Sequence, residues 1–199
     1  MIYLLLFLIV IILSFLIYIG LFHPISILPS KLGPFKIFYL EYIGPYHKIG
    51  PIFSSVAKDT CAFFKFSLPF GIYYDNPNTI ADKSKCRAVV GMIVNFGESE
   101  IEEKTTEFQK SHTKYKIADL PSVDCIKTEF PWKGWPTTLM FPRIYKKFQP
   151  YHDHNSGPIM EIYRCFGQKG VVEISLVKGE RREAYMLSSR EKPEDKKNQ

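Results

Sequence analysis

The chain has 199 residues, of which 46% are hydrophobic and 15% aromatic, and carries a net charge of +6 at pH 7. Roughly 100 to 200 residues form one hydrophobic core, so this length suits a single domain with short additions, which is the starting expectation. The positive balance is interspersed with 20 acidic residues and accompanies no recognised nucleic-acid-binding motif, so no direct nucleic-acid contact is expected.

Residues Ile2 to Phe22 are almost uniformly apolar, broken by Ser14 and Gly20, with tyrosines at Tyr3 and Tyr18. At about 1.5 Å per residue they would reach about 30 Å, the thickness of a bilayer core. A cleaved secretory signal needs a basic start, a short apolar core and a small-residue cleavage site, and none is present. The expectation is a transmembrane anchor over residues 1–23, with the lipid bilayer as partner through Ile2 to Phe22. Lys31, Lys36 and Lys48 follow the run while no charged side chain precedes it, which predicts a lumenal amino terminus and a cytosolic remainder. Every Lys, Arg, Asp and Glu falls after residue 30, a charge that either solubilises the domain or draws it to an anionic leaflet.

Residues 24–34 hold three prolines, counting Pro24, Pro29 and Pro34, and read as an extended linker. Phe35 to Tyr42 is an apolar, aromatic strand closed by the turn 43-IGPY-46. Ile49 to Phe66 shows helical recurrence of apolar residues. Phe70 to Tyr74 and Cys86 to Val94 are strands rich in β-branched and aromatic residues, joined by turn formers. Asp75 and Asn76 before Pro77 read as turn chemistry, with no catalytic role. Glu98 to Phe108 is a charged surface helix. Lys114 to Phe130 supplies one or two strands ending in 130-FPWKGWP-136. Thr138 to Phe148 is the matching helix, with Pro142 tolerable only near its first turn and Pro150 ending it. Ile159 to Phe166 and Val171 to Val177, joined through Gly167 and Gly170, make a closing hairpin. The order is strand, helix, strand, strand, twice over. Residues 178–199 are charged with both signs and nearly without aliphatics, a composition that predicts a disordered tail.

Cys61, Cys86, Cys125 and Cys165 are widely and unevenly spaced with no C-x-x-C pair, which excludes the common zinc signatures. In a reducing cytosol they are free thiols, whereas an inverted topology would allow two disulfides. His152, Asp153 and His154 invite a metal reading, but i and i+2 point apart on a helix, and no metal site is assigned. No phosphate-binding glycine loop, G-x-S-x-G elbow or cysteine with a neighbouring histidine is present, so no catalytic residue and no cofactor is assigned.

The segments 40-LEYIGPY-46, 72-IYYDNP-77 and 160-MEIY-163, in this order and spacing, resemble the gyrase-inhibitor-like (GyrI-like, SOUL-related) small-molecule-binding domain, and the resemblance runs from about Phe35 to Val177. It implies an α+β fold of two pseudo-symmetric β-α-β-β repeats over residues 35–177. An apolar segment ahead of such a domain, with YYDNP and then 86-CRAVVG-91, is similar to the testis-expressed protein 264 family of endoplasmic-reticulum autophagy receptors. That resemblance implies a single-pass protein of the endoplasmic-reticulum membrane with a cytosolic domain. It further implies an adaptor in reticulophagy or protein quality control that engages ubiquitin-like autophagy modifiers or an unfoldase. The tail carries no aromatic-x-x-aliphatic motif flanked by acids, since Tyr185 is followed by Met186, Leu187 and Ser188.

The GyrI-like resemblance also places one carboxylate. Strand alternation puts Ile159, Glu161 and Tyr163 on one face and Met160 and Ile162 on the other, and the glutamate of this motif faces the ligand groove in GyrI-like domains. Glu161 is therefore the ligand-groove candidate, with Tyr163, Tyr74, Tyr46, Trp132 and Trp135 as candidate walls. The alternative to the adaptor reading is a small-molecule-binding domain around Glu161. Its hydrolytic form would need Glu161 as base toward water and Tyr74 or Tyr163 at the developing oxyanion.

Overall fold

The computed structural model of the chain describes residues 1–64, 66–77, 79–94, 101–166 and 169–188. Among the described residues, four α-helices and eight strands follow as α1 (Ile2–Tyr18), β1 (Leu28–Leu32), β2 (Phe35–Ile43), α2 (Gly50–Cys61), β3 (Leu68–Tyr73), β4 (Arg87–Ile93), α3 (Ile101–Ser111), β5 (Lys116–Leu120), β6 (Val123–Trp132), α4 (Phe141–Phe148), β7 (Ser156–Phe166) and β8 (Lys169–Lys178). Short 3-10 turns lie at Tyr46–Lys48, Lys83–Lys85, Trp135–Met140, Gln149–Tyr151 and Glu180–Tyr185.

All eight strands join one antiparallel sheet in the order β1-β6-β8-β7-β3-β4-β2-β5. The units β2-α2-β3-β4 and β6-α4-β7-β8 occupy its two halves and meet where β3 pairs β7, with Gly71 opposite Glu161. The sheet is an α+β arrangement of two like halves, as its strand, helix, strand, strand order predicts.

Period-2 alternation divides the core between the two faces. Ile37, Phe70, Ile72, Val89, Ile93, Met160 and Ile162 fill one side. On the other, Phe38, Met92 and Phe108 meet α2 and α3, while Phe130, Ile144, Phe148, Val172 and Ile174 pack with α4. Helix α4 buries Phe141, Ile144 and Phe148 and places Pro142 in its first turn, where the missing N–H costs no helical bond.

Three expectations need correction. The first is the transmembrane anchor. Helix α1 has 17 residues and ends at Tyr18, about 25 Å of helix, and among the described residues no helix is long and apolar enough to cross a membrane. The chain turns after Tyr18 because Gly20 adopts φ +94° and Ile19, 1% exposed, sinks into the α4 cluster. The Arg143 guanidinium on α4 then donates to the carbonyls of Gly20, Leu21 and His23. The last residues of the apolar run thus belong to the domain. Ahead of them Ile2 to Leu13 expose their side chains on every side.

The second correction is the linker, since Leu28–Leu32 pairs with β6 and extends the sheet at one edge. The third is the tail. Residues 189–199 lie outside the described residues, but Glu180–Tyr185 folds back over the sheet. Tyr185 is fully buried, its hydroxyl directed at the carbonyls of Pro121 (3.0 Å) and Leu32 (3.3 Å). The expected starts at Glu98 and the link at Gly167 also fall outside the described residues.

The turn after β3 holds more than local Asx chemistry. The Asp75 carboxylate accepts from the Arg87 backbone N–H at 2.8 Å and from its Nε and Nη2 at 2.9 and 2.8 Å, with 19% and 14% of the two side chains exposed. Such a fork of charge-assisted bonds is among the stronger polar contacts a protein makes. Asp75→Ala, which leaves Arg87 without its countercharge, is expected to lower stability by about 2 to 3 kcal/mol. Urea unfolding would show this as a lower midpoint at constant slope. A loss under about 0.5 kcal/mol, the scale of an exposed pair, would mean that solvent already screens it.

Candidate functional site

Glu161 lies on β7, one of the two central strands, and its side chain is 1% exposed on the helix-covered face. Three phenols surround it. Tyr145, from α4, donates to Oε1, and Tyr163, two residues along β7, donates to Oε2. Tyr73, at the end of β3, hydrogen-bonds to both Glu161 and Tyr163. Gly71 makes room for that third contact: a Cβ there would stand 2.8 Å from the Tyr73 hydroxyl oxygen, so any larger residue would push the phenol off its line to Glu161.

Aromatic rings close the shell. Tyr163 meets the ring of Phe53 on α2 at 5.5 Å and that of Trp132 on β6 at 4.8 Å, both edge-on. Phe141 lies 6.3 Å from Trp132 and 6.0 Å from Tyr145. Tyr46 stands edge-on to Tyr73 at 5.0 Å and donates to the carbonyls of Asp75 and Arg87, pinning the turn that presents Tyr73.

Electrostatics follow from this burial. Desolvation raises the pKa of Glu161 above 4.5, and the bonds from Tyr145, Tyr163 and Tyr73 oppose the rise without cancelling it. Desolvation also pushes the three tyrosines well above their ordinary value, with the Glu161 charge adding to it. They are therefore donors rather than phenolates. Among the described residues no basic side chain acts on the Glu161 carboxyl. A buried carboxylate held by neutral donors alone, with ring faces and edges around it, is chemically suited to receive a cation.

The structure brings Glu161, Tyr163 and Trp132 together and sets Tyr46 one ring away. It separates the other two candidates. Tyr74 points to the opposite face, where its hydroxyl donates to the Tyr185 carbonyl and accepts from the Leu187 N–H, both at 3.1 Å. Trp135 is 74% exposed in the turn ahead of α4. Tyr73, Tyr145, Phe53 and Phe141 complete the site without having been singled out in the sequence. For Tyr73 the signal was there, because Phe70 and Ile72 alternate with it along β3.

Asp153 of the His152 to His154 segment is bound by Lys178 at 3.0 Å and by Ser156. Among the described residues no group of three or more His, Cys, Asp or Glu is placed to hold a metal ion. Cys61, Cys86 and Cys125 are free thiols, and burial pushes Cys125 up to about 11. The side chain of Cys165 is outside the described set.

No family model and no curated protein matches the chain. Solved structures do. The integron cassette protein from the mobile metagenome of Vibrio cholerae is similar with a TM-score of 0.51 and 10% identity, over 77% of this chain and 96% of that one. The C-terminal domain of EcmrR reaches 0.48 at 12% identity, over 78% and 98%. An uncharacterized conserved protein from Listeria innocua reaches 0.42 at 10% identity, over 74% and 91%. At these identities the likeness is one of fold, and the first of them carries it. The chain has an antiparallel α+β fold of the GyrI-like type. Nothing in the comparisons supports a reticulum location or an autophagy role.

Proposed function

We propose that this domain binds a small lipophilic cation at Glu161, in preference to the adaptor role that the sequence resemblance implies. One observation carries the reading: a carboxylate that is 1% exposed and has tyrosine hydroxyls, and no basic group among the described residues, for partners. An ionised carboxylate so placed is costly to maintain, and a cation supplies the missing countercharge. The rings of Phe53, Trp132 and Tyr163 add cation–π attraction, worth about 2 kcal/mol where water is excluded. Because Glu161 is covered by Tyr145 and its neighbours, the ligand reaches it by displacing a ring, with α4 and α2 as the elements that carry the movable ones.

The test is a thermal-shift titration of the full chain with benzyltriethylammonium, and with a neutral hydrocarbon of the same shape as control. At 100 times its dissociation constant the cation is expected to add about 2.7 kcal/mol to stability, and the neutral compound far less. Equal shifts from both compounds, or none from the cation, would defeat the proposal.

A further inference from the structure

We propose that the end of the domain where α1 meets α4 is a docking surface for an anionic lipid bilayer. Two separate features meet there: a helix that is apolar on every side, and a patch of positive charge with no acidic partner. Helix α1 exposes Ile2 to Leu13 all round and contains no charged side chain. A helix that packs on a protein, a second copy included, buries one stripe and keeps the rest polar, whereas one that is apolar all round calls for an apolar surrounding on every side, which lipid hydrocarbon supplies. Entry into lipid, not passage through it, is what this asks of α1. The helix is also fastened to the domain, because Arg143 holds the carbonyls of Gly20, Leu21 and His23 and the Lys133 ammonium lies 4.5 Å from the centre of the Tyr18 ring. Once α1 is in lipid, the surface around its base is brought to the headgroups.

That surface has the chemistry of a headgroup contact. Between Phe130 and His152 the chain carries Lys133, Arg143, Lys146 and Lys147 and no Asp or Glu, and no acidic residue precedes Glu41. Lys146 and Lys147 stand three and four residues beyond Arg143 on α4, so the three share one side of that helix, the side that meets the base of α1. All four cations are exposed, and among the described residues none of them makes an ion pair. Trp135, two residues from Lys133, is 74% exposed; Phe22, between the carbonyls that Arg143 holds, is 70% exposed, and Leu139, in the turn that runs into α4, is 54% exposed. An exposed tryptophan with apolar neighbours suits the layer where hydrocarbon gives way to headgroups, and unpaired cations beside it are drawn to anionic lipid.

The experiment is flotation of the full chain with vesicles of phosphatidylcholine alone and of equal parts phosphatidylcholine and phosphatidylserine. The mixed vesicles are expected to bind more tightly. Lys133→Gln, Lys146→Gln and Lys147→Gln should each cut that preference by about fivefold, and the triple variant by on the order of 100-fold; an unchanged melting temperature shows that these surface variants are folded. Arg143 is left in place because it fastens α1. Tryptophan emission should shift to the blue on the mixed vesicles and be quenched by lipids brominated next to the headgroup, and Trp135→Phe should remove that quenching. Equal binding to both vesicles, or a preference that survives in the triple variant, would overturn the docking surface and leave α1 as a lone lipid contact. Failure to float with either vesicle would overturn it too, and a dimer in sedimentation in that case would assign the cover of α1 to a second copy.

Discussion

Glu161→Gln is expected to weaken binding of benzyltriethylammonium by roughly 30- to 1,000-fold, the equivalent of about 2 to 4 kcal/mol for removing one partner of a desolvated charge pair. The substitution keeps the volume and can still accept from Tyr145 or Tyr163, so the loss reads the charge and not the packing. The pH dependence separates the two further. Burial raises the folded-state pKa of Glu161 above 4.5, so the protein holds this proton more tightly folded than unfolded. The stability that this contributes is full below the ordinary carboxylate value and is lost as pH rises through the raised one. Without ligand, Glu161→Gln should therefore gain on the native chain above that range, with the gain closing as the pH falls toward about 4.5. Cation affinity of the native chain runs the other way and declines as acid protonates the carboxyl. Calorimetric unfolding and titration across this range check both slopes. A Glu161→Gln difference that does not move with pH would mean that the carboxyl is already neutral throughout or already compensated.

Tyr185→Ala is expected to destabilise the fold by about 3 to 5 kcal/mol, the usual cost of removing a fully buried aromatic side chain. Tyr185 has no exposed surface and sits among the residues that fill the helix-free face of the sheet. Tyr185→Phe keeps the ring and removes only the hydroxyl that reaches the Leu32 and Pro121 carbonyls, and should cost about 1 kcal/mol. Guanidinium unfolding of the two variants would separate ring from hydroxyl. If Tyr185→Ala lost less than about 1 kcal/mol, the returning segment would be decoration rather than part of the core.

What could be read from the residues was local periodicity. The alternation in 159-IMEIY-163 assigned Glu161 and Tyr163 to one face, and the order of strands and helices delivered two like halves. What could not be read was distance across the fold. The run from Ile2 to Phe22 is almost uniformly apolar, yet its helix stops at Tyr18, where Gly20 turns the chain and the carbonyls that follow are held from more than a hundred residues away by Arg143 on α4. Leu28 to Leu32 looks like linker because Pro29, with Pro24 and Pro34 on either side, argues against a central strand, yet Pro is tolerated at an edge, where β1 lies. In the charged tail Tyr185 and Leu187 sit in one short apolar stretch, 184-AYML-187, and composition averages it away. In 72-IYYDNP-77 two adjacent tyrosines compete for one role. Strand alternation sends Tyr73 and Tyr74 to opposite faces, and the pairing of β3 with β7 is what brings Tyr73 to Glu161 while Tyr74 meets the returning segment.

Helix α4 is eight residues long, and two of its side chains, Arg143 and Tyr145, two positions apart, reach in different directions. Arg143 holds the backbone on which α1 is mounted; Tyr145 holds the carboxyl of Glu161. So short a helix, packed through Phe141, Ile144 and Phe148, shifts as a rigid piece more readily than it bends. One short piece of helix thus serves two ends of the domain, tying the backbone after α1 and the carboxyl of Glu161 to the same packed unit.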